Sequence, residues 1–337
     1  MTLAHDDDAP PLGTVLGDRY RLVRLIGSGA MGSVFEATNG NDAHVAVKTL
    51  SSARGKKEKK DAPERRARFL REAAVCRSLV HPNVVLVIDH GVDAATDAPF
   101  LVMPLLRGED LARVIDREGA LDPSVCVAIF VQACRGLGAA HARGIVHRDV
   151  KPSNLFLETD ADGTVVVKVA DFGLAKVFDD SVQSLTASGR FMGTPQYVSP
   201  EQATNAKRVD ERGDVWSLAM SLYHAMAGVP AFAHVRSFMA LVLELTGPAG
   251  VPTLQRTAPW IDPAVARVVH GALIRELELR CPSMAELALA LEMAAGVDVA
   301  RAPIATSAVR GVSDETRRTR ADVAELPASW DDLLCVR

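Results

Sequence analysis

Four side chains between residues 145 and 173 carry groups suited to an ionic reaction: Asp149, Lys151, Asn154 and Asp171. The stretch reads Ile-Val-His-Arg-Asp-Val-Lys-Pro-Ser-Asn-Leu-Phe-Leu, then a short loop, then Val-Lys-Val-Ala-Asp-Phe-Gly. Its apolar, β-prone runs at 154–157 and 165–170 flank a Gly-containing turn at 160–163, the pattern of a hairpin. A hairpin returns its ends to one place, so three oxygen-bearing side chains and a lysine converge at one edge. Asp and Asn oxygens are hard ligands suited to Mg2+, and a lysine beside them calls for a negatively charged substrate group.

A second pattern lies upstream. Strand character at 19–26, alternating polar and apolar, runs into Gly27-Ser28-Gly29-Ala30-Met31-Gly32-Ser33-Val34. Glycines at this spacing let backbone N–H groups approach phosphates, in either of two settings. A dinucleotide fold needs a helix directly after the third glycine. Here 34–38 leads instead to the tight-turn pair Asn39-Gly40 and then to His44-Val45-Ala46-Val47-Lys48, so the glycines sit in a strand-turn-strand. Lys48 lies inside an apolar strand, and a buried ammonium is costly without an anion. The helical spacing of Phe69, Leu70, Ala73, Cys76 and Leu79 predicts a helix over 68–79, and Glu72 on its border is the partner expected for Lys48. Runs at 84–88 and 100–103 read as further strands, giving a five-stranded sheet with one helix. Residues 104–108 form a connector to a second, larger domain, and exposed backbone there can receive an adenine.

The remainder is predominantly helical, with predicted helices at 123–143, 215–227, 263–276 and 283–295. Residues 1–17 and 298–337 read as a disordered leader and tail. In the tail, Trp330, Leu333 and Leu334 leave open a docking or autoregulatory segment. The chain has 337 residues, 48% of them hydrophobic and 24% charged, as in a soluble globular protein. A net charge of −4 and a pI near 6.2 argue against nucleic acid or an anionic membrane as main partner. Five widely spaced cysteines (76, 126, 134, 281, 335) with no Cys-x-x-Cys pair imply reduced thiols in a cytoplasmic protein. The acidic N-terminus is unlike a signal peptide. No membrane span is expected, the nearest apolar run being 217–233, broken by His224, Gly228 and Pro230.

Taken in order, the Gly-rich loop, Val-Ala-Val-Lys48, Glu72, His147-Arg148-Asp149-x-Lys151-Pro-x-Asn154, Asp171-Phe172-Gly173 and Gly193-Thr194-Pro195-Gln-Tyr-Val-Ser-Pro200-Glu201 resemble the eukaryotic-like (Hanks-type) bacterial serine/threonine protein kinases. The resemblance spans roughly 18–297. It implies a bilobal α+β fold, with a β-rich N-lobe at 18–106 containing one main helix and a larger, mostly helical C-lobe at 107–297. It also implies transfer of the ATP γ-phosphoryl group, with Mg2+, to Ser/Thr hydroxyls of protein substrates.

The same resemblance implies the roles. Gly27, Ser28, Gly29 and Gly32 cover the ATP phosphates, and Lys48 holds the α/β-phosphates while pairing with Glu72. Val34, Ala46 and Phe156 sandwich the adenine, Met103 stands as gatekeeper, and the backbone of Pro104 and Leu106 meets the adenine edge. Many relatives have Glu where this chain has Pro104, but the contact uses a carbonyl that proline retains. Asp110 falls at a ribose-binding position. Asp149 orients or accepts the proton of the substrate hydroxyl, Lys151 stabilises the transferring γ-phosphoryl, and Asn154 and Asp171 hold Mg2+. Arg148 is the receiver of an activation-loop phosphate at Thr186 or Ser188, implying autophosphorylation and self-association. Thr194 bridges Asp149 and Lys151, Glu201 pairs with Arg280, and Asp214 is either an N-cap or an anchor for the catalytic-loop backbone. Two other function classes compete with this one. A nucleotide-binding scaffold without catalysis predicts loss of Lys48, Asp149, Asn154 or Asp171, all of which are present. A small-molecule phosphotransferase does not need the peptide-binding shelf of 193–201.

Overall fold

Period-two alternation from Tyr20 onward folds the first part of the chain into a sheet. The computed structural model describes residues 9–29, 32–50, 62–94, 98–172, 195–205, 209–296, 298, 301–319 and 321–334. They divide into two units: one of 9–81, 85–107 and Phe172, the other of 82–84, 108–171 and 195–334.

The smaller unit holds strands β1 (Val15–Leu16), β2 (Tyr20–Gly29), β3 (Gly32–Thr38), β4 (His44–Leu50), β5 (Asp89–Val92) and β6 (Pro99–Pro104). They form one sheet in the order β1-β2-β3-β4-β6-β5. Paired residues of neighbouring strands share a face, so Phe35, Val47 and Val102 stand together in register. With Leu16, Tyr20, Leu22, Val45 and Phe100 they form the buried core. Helix α1 (Ala62–Ser78) buries Phe69, Ala73 and Cys76 and packs on β5 and β6. Tyr20 Oη donates to Asp89 Oδ2 at 2.8 Å, and burial followed by that bond pushes the phenol up to about 12.

Two expectations for this unit change. Residues 9–17 are not a disordered leader: β1 pairs with β2, Gly13 N–H donates to Leu22 O, and Leu16 is buried in the core. The apolar run 84–88 is not a strand of this sheet. Asn83 O accepts from Val169 N and Asn83 Nδ2 donates to Val167 O, which commits that backbone to the larger unit. The sheet resumes only at β5.

In the larger unit, Asp110 closes β7 (Gly108–Asp110) and caps α2 (Leu111–Glu118), and Asp122 with Pro123 at the first position starts α3 (Pro123–His141). Asp160 and Gly163 turn β8 (Leu155–Thr159) into β9 (Thr164–Val169), with Gly163 in the left-handed region. Helices α4 (Glu211–Ala227), α5 (Phe238–Thr246), α6 (Pro263–Gly271) and α7 (Met284–Ala295) come next. Asp210 caps α4, which leaves Asp214 one turn inside it. Among the described residues α3, rather than 217–233, is the helix long and apolar enough to cross a membrane. Its apolarity has a local reason. Ile129, Phe130, Val131 and Leu137 are fully buried, and the helix packs against α4, α7 and β9.

The tail expectation is overturned most plainly. A two-residue strand β10 (Ile304–Ala305) pairs with β9, giving a four-stranded sheet in the order β10-β9-β8-β7. Further along, Gln255 holds the chain at both of its amide atoms, accepting from Ala324 N and donating to Asp322 O. Trp330 is 3% exposed, its backbone N–H donates to Leu279 O, and its indole N–H donates to Glu286 Oε2 at 2.9 Å. The polar, Arg-rich composition hid this, because Ile304, Val312, Ala324 and Trp330 are buried one at a time, at no regular spacing. Replacing Trp330 by Ala is therefore expected to cost about 3–5 kcal/mol in urea unfolding, against almost nothing for an unpacked tail.

Two buried imidazoles give a second expectation. His270 Nε2 accepts from Leu254 N–H at 2.9 Å, and His224 Nδ1 meets Tyr197 Oη at 2.7 Å. Burial lowers both to about 4 from 6.5. The unfolded chain thus takes up protons near pH 6.5 that the folded chain refuses until about pH 4. Stability is complete above pH 6.5 and falls as pH drops toward 4, by about 2 kcal/mol per histidine between pH 7 and 5. Unfolding free energies of wild type and His270→Gln at both pH values check this; the variant should show the shallower dependence.

Candidate active site

The acidic group at the centre of the larger unit is Asp214, fully buried on α4. Its Oδ2 accepts from the backbone N–H of His147 at 2.7 Å and meets His141 Nε2 at 2.8 Å, while Oδ1 accepts from Arg148 N–H at 2.7 Å. A buried carboxylate is tolerable only when its lone pairs are satisfied, and three N–H donors do that here. Arg148 is fixed from the other side as well, its carbonyl accepting from Gln202 Nε2 at 2.9 Å. Held at both ends, it sits at φ 63°, a left-handed conformation rare for a side-chain-bearing residue.

That strained turn sets up the next residues. His147 is fully buried, and its Nε2 faces Ala170 O at 2.8 Å. A carbonyl only accepts, so the proton is on Nε2 and Nδ1 is free to accept from Asp149 N–H at 3.2 Å. The Asp149 carboxylate then receives Lys151 Nζ on Oδ2 at 2.8 Å. Asn154 Nδ2 donates to Asp149 O at 2.8 Å and to Asp149 Oδ2 at 3.3 Å. With its amide nitrogen so committed, Asn154 presents Oδ1, a hard oxygen. Asn154 O accepts from Ala170 N–H at 2.9 Å, and the next residue, Asp171, is turned by a φ of 61°. Asp149, Lys151 and Asn154 are therefore joined by side-chain hydrogen bonds, and the backbone bond from Ala170 to Asn154 brings the chain at Asp171 beside them.

In the smaller unit, the register places Val34 opposite Lys48, Lys48 opposite Leu101 and Ala46 opposite Met103, so all share the face away from Phe35, Val47 and Val102. Lys48 is 8% exposed. The glycines divide by cause. At Gly32, φ is 132° and an added Cβ would lie 1.9 Å from Thr49 O, so the fold itself demands glycine. At Gly27 and Gly29 an added Cβ meets nothing within 4 Å. Packing among the described residues does not explain those two.

Other expected residues have local roles. Glu72 Oε1 accepts from Arg68 Nε at 3.1 Å, one turn earlier on α1, with its side chain 41% exposed. Asp110 Oδ1 caps α2 through Arg113 N–H, and its Oδ2 pairs with Arg113 Nε, which accounts for an aspartate there without a ribose. Phe156 lies in β8 opposite Asp110, and Pro104 ends β6 opposite Val45. Leu106 lies in the segment before β7. Glu201 and Arg280 pair as expected, at 2.8 and 3.1 Å, with Arg280 also stacked over Trp216. Ala30, Met31, Gly173, Thr186, Ser188 and Thr194 lie outside the described residues.

Sequence reasoning missed His141, Gln202 and Gln132. Gln132 Oε1 accepts from Val167 N–H and from Asn83 Nδ2, clasping the hairpin and the 82–84 segment together. Each lies in a helical run, and its partner is 35 to 73 positions away.

The family model for the protein kinase domain matches residues 20–261. Serine/threonine-protein kinase pkn3 of Myxococcus xanthus is 36% identical over 265 residues, covering 78% of this chain and 47% of that protein. Serine/threonine-protein kinase PknA of Mycobacterium tuberculosis is 36% identical over 276 residues, covering 81% of this chain and 60% of the relative. The chain thus spans about half the length of such relatives. Among solved structures, the PknI kinase domain of M. tuberculosis is 30% identical with a TM-score of 0.63, covering 86% of this chain and all of that one. The network around Asp149 and Asp214 falls within the matched residues, and on that match the chain belongs to the protein kinase domain family.

Proposed function

We propose that this protein is a serine/threonine protein kinase that transfers the γ-phosphoryl group of ATP to hydroxyls of protein substrates. Members of its family use ATP and typically a divalent metal; in this reading the metal is Mg2+. The observation that carries the proposal is the Asp149–Lys151–Asn154 cluster, with Lys151 Nζ 2.8 Å from the Asp149 carboxylate.

In this reading the smaller unit holds the nucleotide. Gly27, Ser28, Gly29 and Gly32 lay backbone N–H groups on the phosphates, and Lys48 neutralises the α/β-phosphates with Glu72 as its carboxylate partner. Val34, Ala46 and Met103 contact the adenine, and Pro104 and Leu106 offer backbone to its edge. Asp149, fixed by Asn154, orients the acceptor hydroxyl and takes its proton. Lys151 stands beside that carboxylate and meets the charge that builds on the transferring group. Asn154 and Asp171 hold the divalent ion, which when bound neutralises phosphate charge. Little covalent chemistry is asked of the protein, so the rate comes from positioning and charge complementarity. A lysine two residues after the aspartate is the serine/threonine arrangement.

Regulation enters through Arg148. Its backbone is clamped by Asp214 and Gln202, so the origin of its guanidinium is fixed, and a phosphate at Thr186 or Ser188 supplies a bidentate partner. Phosphorylation there between two copies of the chain requires transient self-association. A cytoplasmic location is in keeping with Cys76, Cys126, Cys134 and Cys281, all buried free thiols raised by burial.

Incubated with labelled ATP, Mg2+ and a generic basic protein, the wild type should yield phosphoserine or phosphothreonine. Asp149→Asn should lose about 10² to 10⁴ in rate while still binding ATP. Tight binding without transfer by wild type would turn the reading into a nucleotide-binding scaffold. Alanine at both Thr186 and Ser188 should leave the protein folded but with lowered activity and less incorporated phosphate. Full activity in that double variant would remove the proposed switch.

A further inference from the structure

Three elements of the larger unit meet beside the turn that carries Asp149. Helix α2 packs on Pro152–Asn154, which ends in one of the candidate metal ligands. Just past that helix, Leu121 N–H donates to Ala225 O at 2.8 Å. Gly228 lies so close to Ala120 that an added Cβ would stand 2.5 Å from its nitrogen. These contacts seat the last turn of α2 against the last turn of α4, where His224 lies. The third element is Pro195–Tyr197, which packs on α4. Tyr197 Oη meets His224 Nδ1 at 2.7 Å, and the two rings stack with centroids 6.1 Å apart. Gln202, five residues on, holds Arg148 O, so the 195–202 segment borders the catalytic turn. A substrate hydroxyl presented to Asp149 brings its flanking residues over this border.

Asp116, on the last turn of α2, carries a charge that its neighbours leave uncompensated. It is exposed, and among the described residues its carboxylate makes no hydrogen bond or ion pair. The two arginines of the same helix are committed elsewhere. Arg113 pairs with Asp110 at 3.2 Å, and Arg117 pairs with Glu109 at 2.7 Å and Glu118 at 2.9 Å. The Asp116 charge nevertheless reaches the neighbouring rings: burial and then Asp116 raise the Tyr197 phenol, and Asp116 opposes the burial that lowers His224. The Tyr197 hydroxyl is already taken by His224, and that imidazole is neutral at pH 7. What this edge offers an incoming side chain is one unpaired negative charge.

We propose that Asp116 is a specificity-determining residue, selecting protein substrates that carry a lysine or arginine near the acceptor serine or threonine. Its carboxylate pairs with the cation of that side chain. This inference rests on the kinase reading and deepens it by naming a substrate class. The pair forms alike in the bound complex and in the transition state, so its effect falls on KM rather than kcat. An exposed ion pair of this kind is worth about fivefold in affinity.

The test uses the full chain, ATP, Mg2+ and short peptides with one central threonine in an uncharged background. Lysine is placed at each flanking position in turn, against norleucine, which keeps the aliphatic stem and lacks the charge. On one side of the acceptor, lysine should raise kcat/KM about fivefold over norleucine, mainly through KM. Asp116→Asn, an exposed helical position where the fold tolerates the change, should abolish that ratio. Asp116→Lys should instead favour glutamate over glutamine at the same peptide position, a reversal that a merely structural role does not produce. Transfer to the peptides with no lysine preference by wild type overturns the proposal and leaves the kinase reading standing. So does a lysine preference that survives in Asp116→Asn. Absence of transfer to every peptide and to a generic basic protein removes the kinase reading, and this proposal with it.

Discussion

One buried carboxylate organises the larger unit. Asp214 has no access to solvent, and an unpaired charge there would be prohibitively costly, so its oxygens must be met by donors. The donors it gathers are two consecutive backbone N–H groups and an imidazole, and the two backbone groups belong to the turn that carries Asp149. The cost of burying the charge is thereby converted into a fixed backbone trajectory. The left-handed conformation of Arg148 comes from that trajectory, and so does the placement of Lys151 and Asn154 around a single acidic side chain. Helix α4 can hold the anchor rigidly because nearly every other residue on it is packed, Trp216, Leu218, Leu222 and Tyr223 among them.

The hairpin bearing Asn154 and Asp171 was legible in the sequence, because its turn chemistry is local and its two strands are apolar, β-prone runs. The glycine-rich turn and the lysine strand were legible for the same reason. What escaped was non-local. Nothing near His141 reports that a carboxylate 73 residues later will meet it. Asp214 carried two readings, an N-cap and an anchor for the catalytic-loop backbone; the cap is Asp210, four residues earlier, and Asp214 is the anchor, through the N–H groups of His147 and Arg148. The run at 84–88 has strand composition, but its entry is claimed by Asn83 and β9. Glu72 and Asp110 each carry a local partner that the sequence did not suggest: a neighbour one turn away uses an oxygen of each.

Glycine positions separate what the fold needs from what it leaves over. Gly32 is compelled by Thr49 O at a distance no Cβ tolerates, whereas Gly27 and Gly29 face open space. A sequence pattern cannot tell these apart, since all three are spelled alike. The structure can: among the described residues nothing packs where a side chain at Gly27 or Gly29 would lie.

The short strand β10 has a bearing on how the molecule is made. It covers the edge of β9, and Thr306 Oγ1 donates to Gly163 O across 143 residues of chain. Asn83 and Gln132, made earlier, hold Val167 and Val169 on that edge, so only its Thr164–Val165 end waits for β10. At ribosomal rates of about 5–20 residues per second that wait is on the order of ten seconds. The nascent hairpin is thus guarded along its middle from the start, and only the short end next to its turn can template another strand until the last segment is made.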